Sequence, residues 1–386
     1  MNIVYIHQYF QPKEGIRSFE FIKHLCASGH KVTAITAAEI DPDYHMDNLE
    51  IISTNTSYSN NMSKMKRIEA FLKFMVKGTL KGIKKKDTDL VYATSTPLTV
   101  GVPAVIISKC RKCKMVFEVR DVWPDIPIEM GFITTGPVKW ALKKYEKWIY
   151  KNSSHVVPLS DGMRDNIKAK GVPKAKLTVI ENIANLYLYS PIEEILEKRA
   201  EKPFVCIHPG TMGIVNGLDF VLDTAKATAK LDPGIKFLLI GEGNRKDHLK
   251  SRVAEENITN VEIRDSVPKR EIAMITESAS VGFMCVDTKY KILEDNSANK
   301  FFDFLAAGLP CVINYGGWQK KVLETEKCGF SEMNPEKMAE CIVSLKNNPE
   351  MAREYAVNAK NAAQRYSTEE AVRKLDIVLE KAMTDR

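Results

Sequence analysis

The stretch NIVYIHQYFQPKEGIRSFEFIKHLCASGHKVTAIT, residues 2–36, decides the fold. NIVYI and KVTAIT are short, β-branched apolar runs of strand length. Between them IRSFEFIKHLCASG carries helical spacing and closes on Gly29, where a helix C-cap favours glycine. Strand, helix and strand in this order form the repeating unit of a parallel sheet covered by helices. LVYAT (90–94), MVFEV (115–119) and HVVPLS (155–160) extend the series. A second set follows, with PFVCIH (203–208), KFLLIG (236–241), VEIRD (261–265), VGFMCV (281–286) and PCVIN (310–314). The expected fold is α/β, with two tandem Rossmann-like, doubly wound domains. The polar, proline-bounded YSPIEEILEKRAEKP reads as the linker. It sets a first domain at 1–190, a second at 191–365, and a last segment, 366–386, crossing back to the first.

At 386 residues the chain is long enough for two cores, and its 44% apolar and 27% charged residues suit a globular protein. LTVGVPAVII (98–107) is too short to span a bilayer, and the N-terminus shows no basic export signal, so a cytoplasmic location is expected. Of eight cysteines only Cys110 and Cys113 stand close, with no second pair for a zinc site, which reads as reduced thiols. The net charge of +7 is unevenly distributed. Residues 1–190 hold 28 basic against 18 acidic side chains, and residues 191–386 hold 28 against 31. A polyanionic partner for the first half is implied.

Several function classes lose their usual support. The loop after NIVYI has one glycine where a dinucleotide fingerprint needs three, and GEGNRKDHL has Lys246 in the third glycine's place. No P-loop, H-E-x-x-H or G-x-S-x-G is present. A different pattern stands out in KILEDNSANKFFDFLAAGLP (291–310). Ser297 can cap a helix running from Ala298 to Ala307, which Gly308 stops. Asp303 lies inside it among Phe301, Phe302, Phe304 and Leu305, and a desolvated carboxylate needs a partner. Lys300, one turn earlier, is one candidate. A ligand carrying a vicinal diol is the other.

Asp295 and Asp303, spaced D-x7-D and followed by AAGLP, resemble the signature of the GT-B glycosyltransferases of family four. The resemblance covers nearly the whole chain. It includes ASGHKVTAIT, TSTPLTVG (94–101), FEVRDVWPDIPIEMG (117–131), HPGTMGIVNGLDFVL (208–222), IGEGNRKDHL and SANKFFDFLAAGLPCV. Within the family the chain looks most like enzymes that build bacterial O-antigen, capsule and glycoprotein glycans on a polyprenyl carrier. The resemblance implies that Asp303 holds the donor ribose hydroxyls and that Asp295 faces the transferred sugar. Relatives place an Arg and a Lys in the loop that here reads GTMGIVNGLD, with Gly213 and Asn216 but no basic residue. The diphosphate charge then falls to Lys300 and the amides of its helix from Asn299, with Arg245, Lys246 and Arg17 as further candidates. Gly15 corresponds to the family's glycine loop, and the nucleobase is expected over DSVPKREI near Val267. Asp121, at the end of MVFEV, is expected to position the acceptor hydroxyl, and Arg120 the acceptor phosphate; a strand-end ion pair is the alternative for these two. Retention of configuration, a UDP-linked donor and no metal cofactor are the implied chemistry.

The polyanionic partner is read as an anionic membrane surface. Residues 64–86 hold nine basic side chains and one acid, Glu69. Ile68, Phe71, Leu72, Met75, Val76, Leu80 and Ile83 follow helical spacing, with Lys66, Lys73, Lys77, Lys81 and Lys84 opposite. VKWALKKYEKWIYK (138–151) adds lysines, Trp140, Tyr145, Trp148 and Tyr150. Amphipathic packing on the sheet is the alternative. No nucleic-acid module is recognisable. Two rival functions remain, a UDP-sugar epimerase of GT-B architecture and a non-catalytic partner in glycan assembly.

Overall fold

The computed structural model describes residues 1–56, 62 and 64–384; the last two positions of the expected C-terminal segment, 385 and 386, lie outside the described residues. The chain divides into two compact units, one formed by 1–181 with the chain from 371 onward, the other by 182–370. The first crossing falls ahead of the expected boundary at 190 because the intervening residues are bonded into the second unit. Asn182 donates to the Ser297 carbonyl at 2.5 Å, and the Ala184 amide to the Tyr366 carbonyl at 2.7 Å.

The first unit is built on six parallel strands: β1 (Asn2–Ile6), β2 (Lys31–Thr36), β3 (Leu49–Ser53), β4 (Leu90–Thr94), β5 (Lys114–Val119) and β6 (His155–Pro158). Their order is β3-β2-β1-β4-β5-β6. Val4, Ile6, Val91, Ala93 and Phe117 form one core face with Phe74, Ile107 and Ile149 from the covering helices. The helix Thr368–Thr384 reaches this unit from residue 371 on, where Asp376 accepts from His24 at 2.9 Å and Lys374 meets Glu181 at 2.8 Å.

The second unit repeats the plan with β7 (Val205–Pro209), β8 (Lys236–Ile240), β9 (Val261–Arg264), β10 (Val281–Met284), β11 (Cys311–Ile313) and β12 (Gly329–Ser331), ordered β12-β11-β10-β7-β8-β9. Each sheet is therefore wound outward in both directions from a central pair, β1 with β4 and β7 with β10. At such a pair the loops leaving the carboxyl ends part in opposite directions and open a crevice for a ligand.

The helix carrying Asp303 spans Asn299–Ala306, one residue shorter at each end than expected. Ala298 occupies the N-cap position and no side chain caps the helix. The Ala298 amide is instead bonded by Asn296 Oδ1 at 3.2 Å, and Ser297 Oγ is buried without a partner. Phe301, Phe302, Phe304 and Leu305 are fully buried. Phe304 packs where a Cβ on Gly282 of β10 would stand 2.6 Å from its ring.

Candidate functional site

In the second unit β7 ends in His208 and Pro209, and the chain then turns at Gly210, whose φ of +117° favours glycine. A Cβ on Gly241, after β8, would stand 1.8 Å from the Gly210 carbonyl oxygen, so the two loops touch backbone to backbone. Over this turn lies Lys300, the second residue of the helix Asn299–Ala306. Its ammonium is 3.1 Å from His208 Nε2 and would be 3.5 Å from a Cβ on Gly210. His208 Nδ1 is 2.9 Å from the Phe283 carbonyl, which fixes the proton on Nδ1 and leaves Nε2 to accept from the ammonium. Burial, then the Lys300 charge, hold His208 well below its usual range, so it is neutral. Burial lowers Lys300 itself to about 8. No carboxylate among the described residues lies within ion-pair distance of it. A cation without a counter-anion therefore stands at the carboxyl end of a central strand, beside a helix N-terminus, where an anion is favoured.

One turn along the same helix, Asp303 is half-buried. Burial pushes its carboxyl up to about 6, against the pull of Lys269 and hydrogen bonds from Asn185 and Tyr189. Its Oδ1 is buried with no hydrogen-bond partner. The alternative pairing with Lys300 is not made, because the lysine turns away to His208. Asp303 thus keeps an unused acceptor, the complement of a hydroxyl donor.

The remaining expected donor residues divide by what already holds them. Arg245 pairs with Asp219 at 3.0 Å, and the buried Lys246 is held by Glu242 at 2.7 Å and by Asp265, so both carry their own counter-charges. Asn216 braces its own loop, its Oδ1 accepting from the Gly213 amide at 3.3 Å. Asn299 is exposed at the first turn of its helix, and Asp295 closes the short 3-10 turn Lys291–Asp295. Val267 lies in the loop between β9 and the helix Lys269–Ser278, whose first residue is the Lys269 that acts on Asp303.

In the first unit Arg17 is not an open cation. It is buried, with Nε and Nη2 both 3.0 Å from Glu118 Oε2, Nη2 3.0 Å from the Ile180 carbonyl and Nη1 bonded to the Glu181 carbonyl. Glu118, fully buried in β5, also accepts from Tyr92 at 2.9 Å and Thr94 at 2.7 Å. Burial alone would raise Glu118, but Arg17 and Arg120 outweigh it and hold the carboxyl below its usual range. The Gly15 amide, with the glycine at φ +77°, donates to Glu20 Oε1 at 2.8 Å. Arg120 and Asp121 do follow β5 directly. Ser95 Oγ accepts from the Arg120 amide at 2.9 Å, and Asp121 is exposed. His7, after β1, is buried with Nδ1 unpartnered, and burial together with Arg120 lowers it to about 3. Sequence reading missed Glu118, His208, Asn185 and Tyr189. Each acts through a partner distant in sequence, which spacing alone does not reveal.

The surface of this unit carries a further feature. The helix Lys64–Ile83 has two apolar faces rather than one. Ala70 and Phe74 are buried, with Gly78 and Gly82 along the same face. Met65, Ile68, Leu72, Val76 and Leu80 form an exposed stripe. Lys77 and Lys81 are held by the carbonyls of Thr54 and Ser53. On the helix Gly136–Asn152, Trp140 is 65% exposed with the Lys144 ammonium 5.7 Å from its ring centre, whereas Tyr150 is buried and donates to Glu146 at 2.9 Å. No helix of the described residues is long and apolar enough to cross a membrane.

Comparison with known proteins adds an independent line. Residues 15–182 match the family described as glycosyl transferase 4-like domain, and residues 192–362 the family described as glycosyl transferases group 1. A curated relative, the poly(ribitol-phosphate) alpha-N-acetylglucosaminyltransferase of Staphylococcus aureus, is 23% identical over 243 residues. The match takes in 61% of this chain and 46% of the relative, so the chain spans about half the relative's length. The fold is shared with sucrose-phosphate synthase from Thermosynechococcus elongatus, at a TM-score of 0.77, 15% identity and 98% coverage of both chains. It is shared as well with Anabaena HepE, solved in complex with UDP-glucose, at a TM-score of 0.71 and 14% identity over 98% of this chain and 99% of that one.

Proposed function

Because the chain belongs to the GT-B glycosyltransferases, we propose that it transfers a sugar from a UDP-linked donor to a saccharide on a polyprenyl diphosphate carrier. The product would be a bacterial surface or glycoprotein glycan. The observation that carries the donor half of this reading is the presence on one helix of an uncompensated ammonium, Lys300, and of a carboxyl whose Oδ1 is buried without a partner, Asp303. The two groups suit the two ends of a nucleoside diphosphate. Lys300 and the amides from Asn299 onward take the diphosphate, and Asp303 accepts from the ribose hydroxyls. The base lies along the loop at Val267, with the sugar toward Asp295. Gly213 and Asn216 shape the facing loop. Arg245, Lys246 and Arg17 are held by their acids and serve as scaffold, and the Gly15 turn is braced by Glu20. That HepE has been solved with UDP-glucose supports the choice of nucleotide.

The reaction follows with little demand on covalent catalysis. As the bond from the anomeric carbon to the diphosphate oxygen breaks, negative charge grows on that oxygen, and Lys300 stabilises it without moving. The same oxygen takes the proton of the attacking hydroxyl on the same face, so configuration is retained and no metal is required. Asp121 and Arg120 on the first unit orient the acceptor. The exposed stripe on 64–83 and the aromatic residues of 138–151 seat the enzyme on the anionic cytoplasmic face of the membrane, where the lipid carrier lies.

Calorimetry of UDP in EDTA tests the donor site directly. Asp303→Asn is expected to weaken binding about tenfold or more, roughly 1.4 kcal/mol. Equal affinity in both proteins would remove Asp303 from the site. Absence of UDP binding in the wild type would overturn the donor assignment altogether.

A further inference from the structure

We propose that His208 is the positioning residue of the donor site, presenting the Lys300 ammonium to the diphosphate while leaving its charge intact. This rests on reading residues 182–370 as the donor unit. A lysine head group on a four-carbon stem has many rotamers, and fixing it requires a partner. The other basic residues around these loops are fixed by acids: Arg245 by Asp219, Lys246 by Glu242 and Asp265. An acid fixes a cation and cancels it at once. Lys300 is fixed by a neutral imidazole nitrogen at 3.1 Å, which supplies a lone pair and no charge.

The imidazole is itself held from the neighbouring strand. His208 is the penultimate residue of β7, and its Nδ1–H is given to the Phe283 carbonyl in β10, at 2.9 Å. Those two strands flank the crevice at which the winding of the sheet reverses. The ring is fully buried, with the Phe283 carbonyl at Nδ1 and the Thr211 backbone also acting on it, and the Lys300 ammonium, which can only donate, requires a lone pair at Nε2. The remaining titratable groups acting on Lys300 are the Cys285 and Cys311 thiols. Burial pushes both thiols well above their usual range, so they too are neutral. Every titratable group found around the ammonium is therefore uncharged, and its field is available to an incoming anion. The adjoining Gly210 has no side chain to stand in the way.

The test compares UDP with uridine, which lacks the phosphates, on three substitutions of His208 and one of Lys300. His208→Asn places a polar atom near the Nδ1 position and none near Nε2. His208→Gln reaches the Nε2 position. His208→Phe keeps the ring and removes both nitrogens. In His208→Asn and His208→Phe, UDP is expected to bind five- to tenfold more weakly with uridine affinity unchanged. His208→Gln is expected to stay within twofold of the wild type for both ligands. The proposal is overturned if His208→Asn binds UDP like the wild type, or if His208→Gln is as impaired as His208→Asn. It is equally overturned if UDP and uridine weaken together, since that marks a role in the fold alone. Should His208→Phe not fold, the Asn and Gln variants decide. Lys300→Met separates the underlying reading: wild-type UDP affinity in that variant removes Lys300, and with it the donor assignment, whatever His208 does.

Discussion

Asp303 is a carboxyl held partly in its acid form by burial, and this has two consequences of opposite sign. An unfolded aspartate titrates near about 4, whereas burial pushes this one up to about 6. The folded chain therefore keeps the proton longer. The stabilising effect of that protonated group is complete below about 4 and is lost as the pH rises through about 6. Asp303→Asn removes the ionisation. The unliganded variant is expected to melt above the wild type at pH 7.5, by up to about 3 kcal/mol, and to match it near pH 4. Thermal melts at the two values check this, and equal melting at pH 7.5 would show that folding does not raise the carboxyl's pKa. On the proposed donor reading ligand affinity runs the other way, because a ribose hydroxyl donates best to the ionised group. Uridine, which carries no phosphate, is expected to bind more tightly as the pH rises from 5 to 7.5. UDP's advantage over uridine should fall above about 8, where Lys300 loses its proton. His208, Cys285 and Cys311, which face that ammonium, stay uncharged across this range. A flat UDP-to-uridine ratio from pH 7 to 9 would count against Lys300. Asp303 was legible in the sequence because a carboxylate among phenylalanines demands a reason. His208 was not, since its partner lies 92 residues away and HPG reads as nothing more than a strand end.

At the scale of the element, ten of the twelve strands could be read, and the two missed, β3 and β12, lie at the outer edges of their sheets. Central parallel strands are buried on both faces and therefore write continuous apolar runs. An edge strand is half-exposed, and LEIIS in β3 and the three residues of β12 lack such a run. The helix Lys64–Ile83 shows a related ambiguity. Periodicity announced one apolar face, whereas glycine and alanine on the packed face had concealed a second. Gly82 lies against Ile107, where a Cβ would stand 2.2 Å from its Cδ1, so small residues do the packing and large ones remain outside. An exposed apolar stripe beside lysines is costly in water and useful at a lipid interface. Replacing Leu72, Val76 and Leu80 together with Ser is expected to abolish flotation with vesicles rich in anionic lipid. The melting transition should move little, because these side chains are outside the core. Retained flotation would transfer membrane binding to the lysines alone, and salt would then release the wild type completely.

For the whole molecule, the two units repeat one topology with different polar centres. The first unit is organised around a buried acid, Glu118, which takes hydrogen bonds from Arg17, Tyr92 and Thr94 and so ties the start of the helix Arg17–Ala27 to β4 and β5. Through Arg17 it reaches the carbonyls of Ile180 and Glu181, the last residues before the chain leaves the unit. The second unit is organised around an unpaired cation, as an anion site requires. On the proposed reading, stability belongs to the first cluster and donor binding to the second, and the two roles can be separated by experiment. Glu118→Ala leaves the Arg17 guanidinium buried without its counter-charge, a lesion that typically costs about 3–5 kcal/mol. The unit formed by 1–181 and the C-terminal helix is expected to unfold correspondingly earlier. At a temperature where both units remain folded, however, UDP should bind this variant as it binds the wild type. A fall in UDP affinity that follows Glu118→Ala or Arg17→Met at that temperature would show that the diphosphate draws on Arg17. The buried network would then belong to the donor site as well as to the fold.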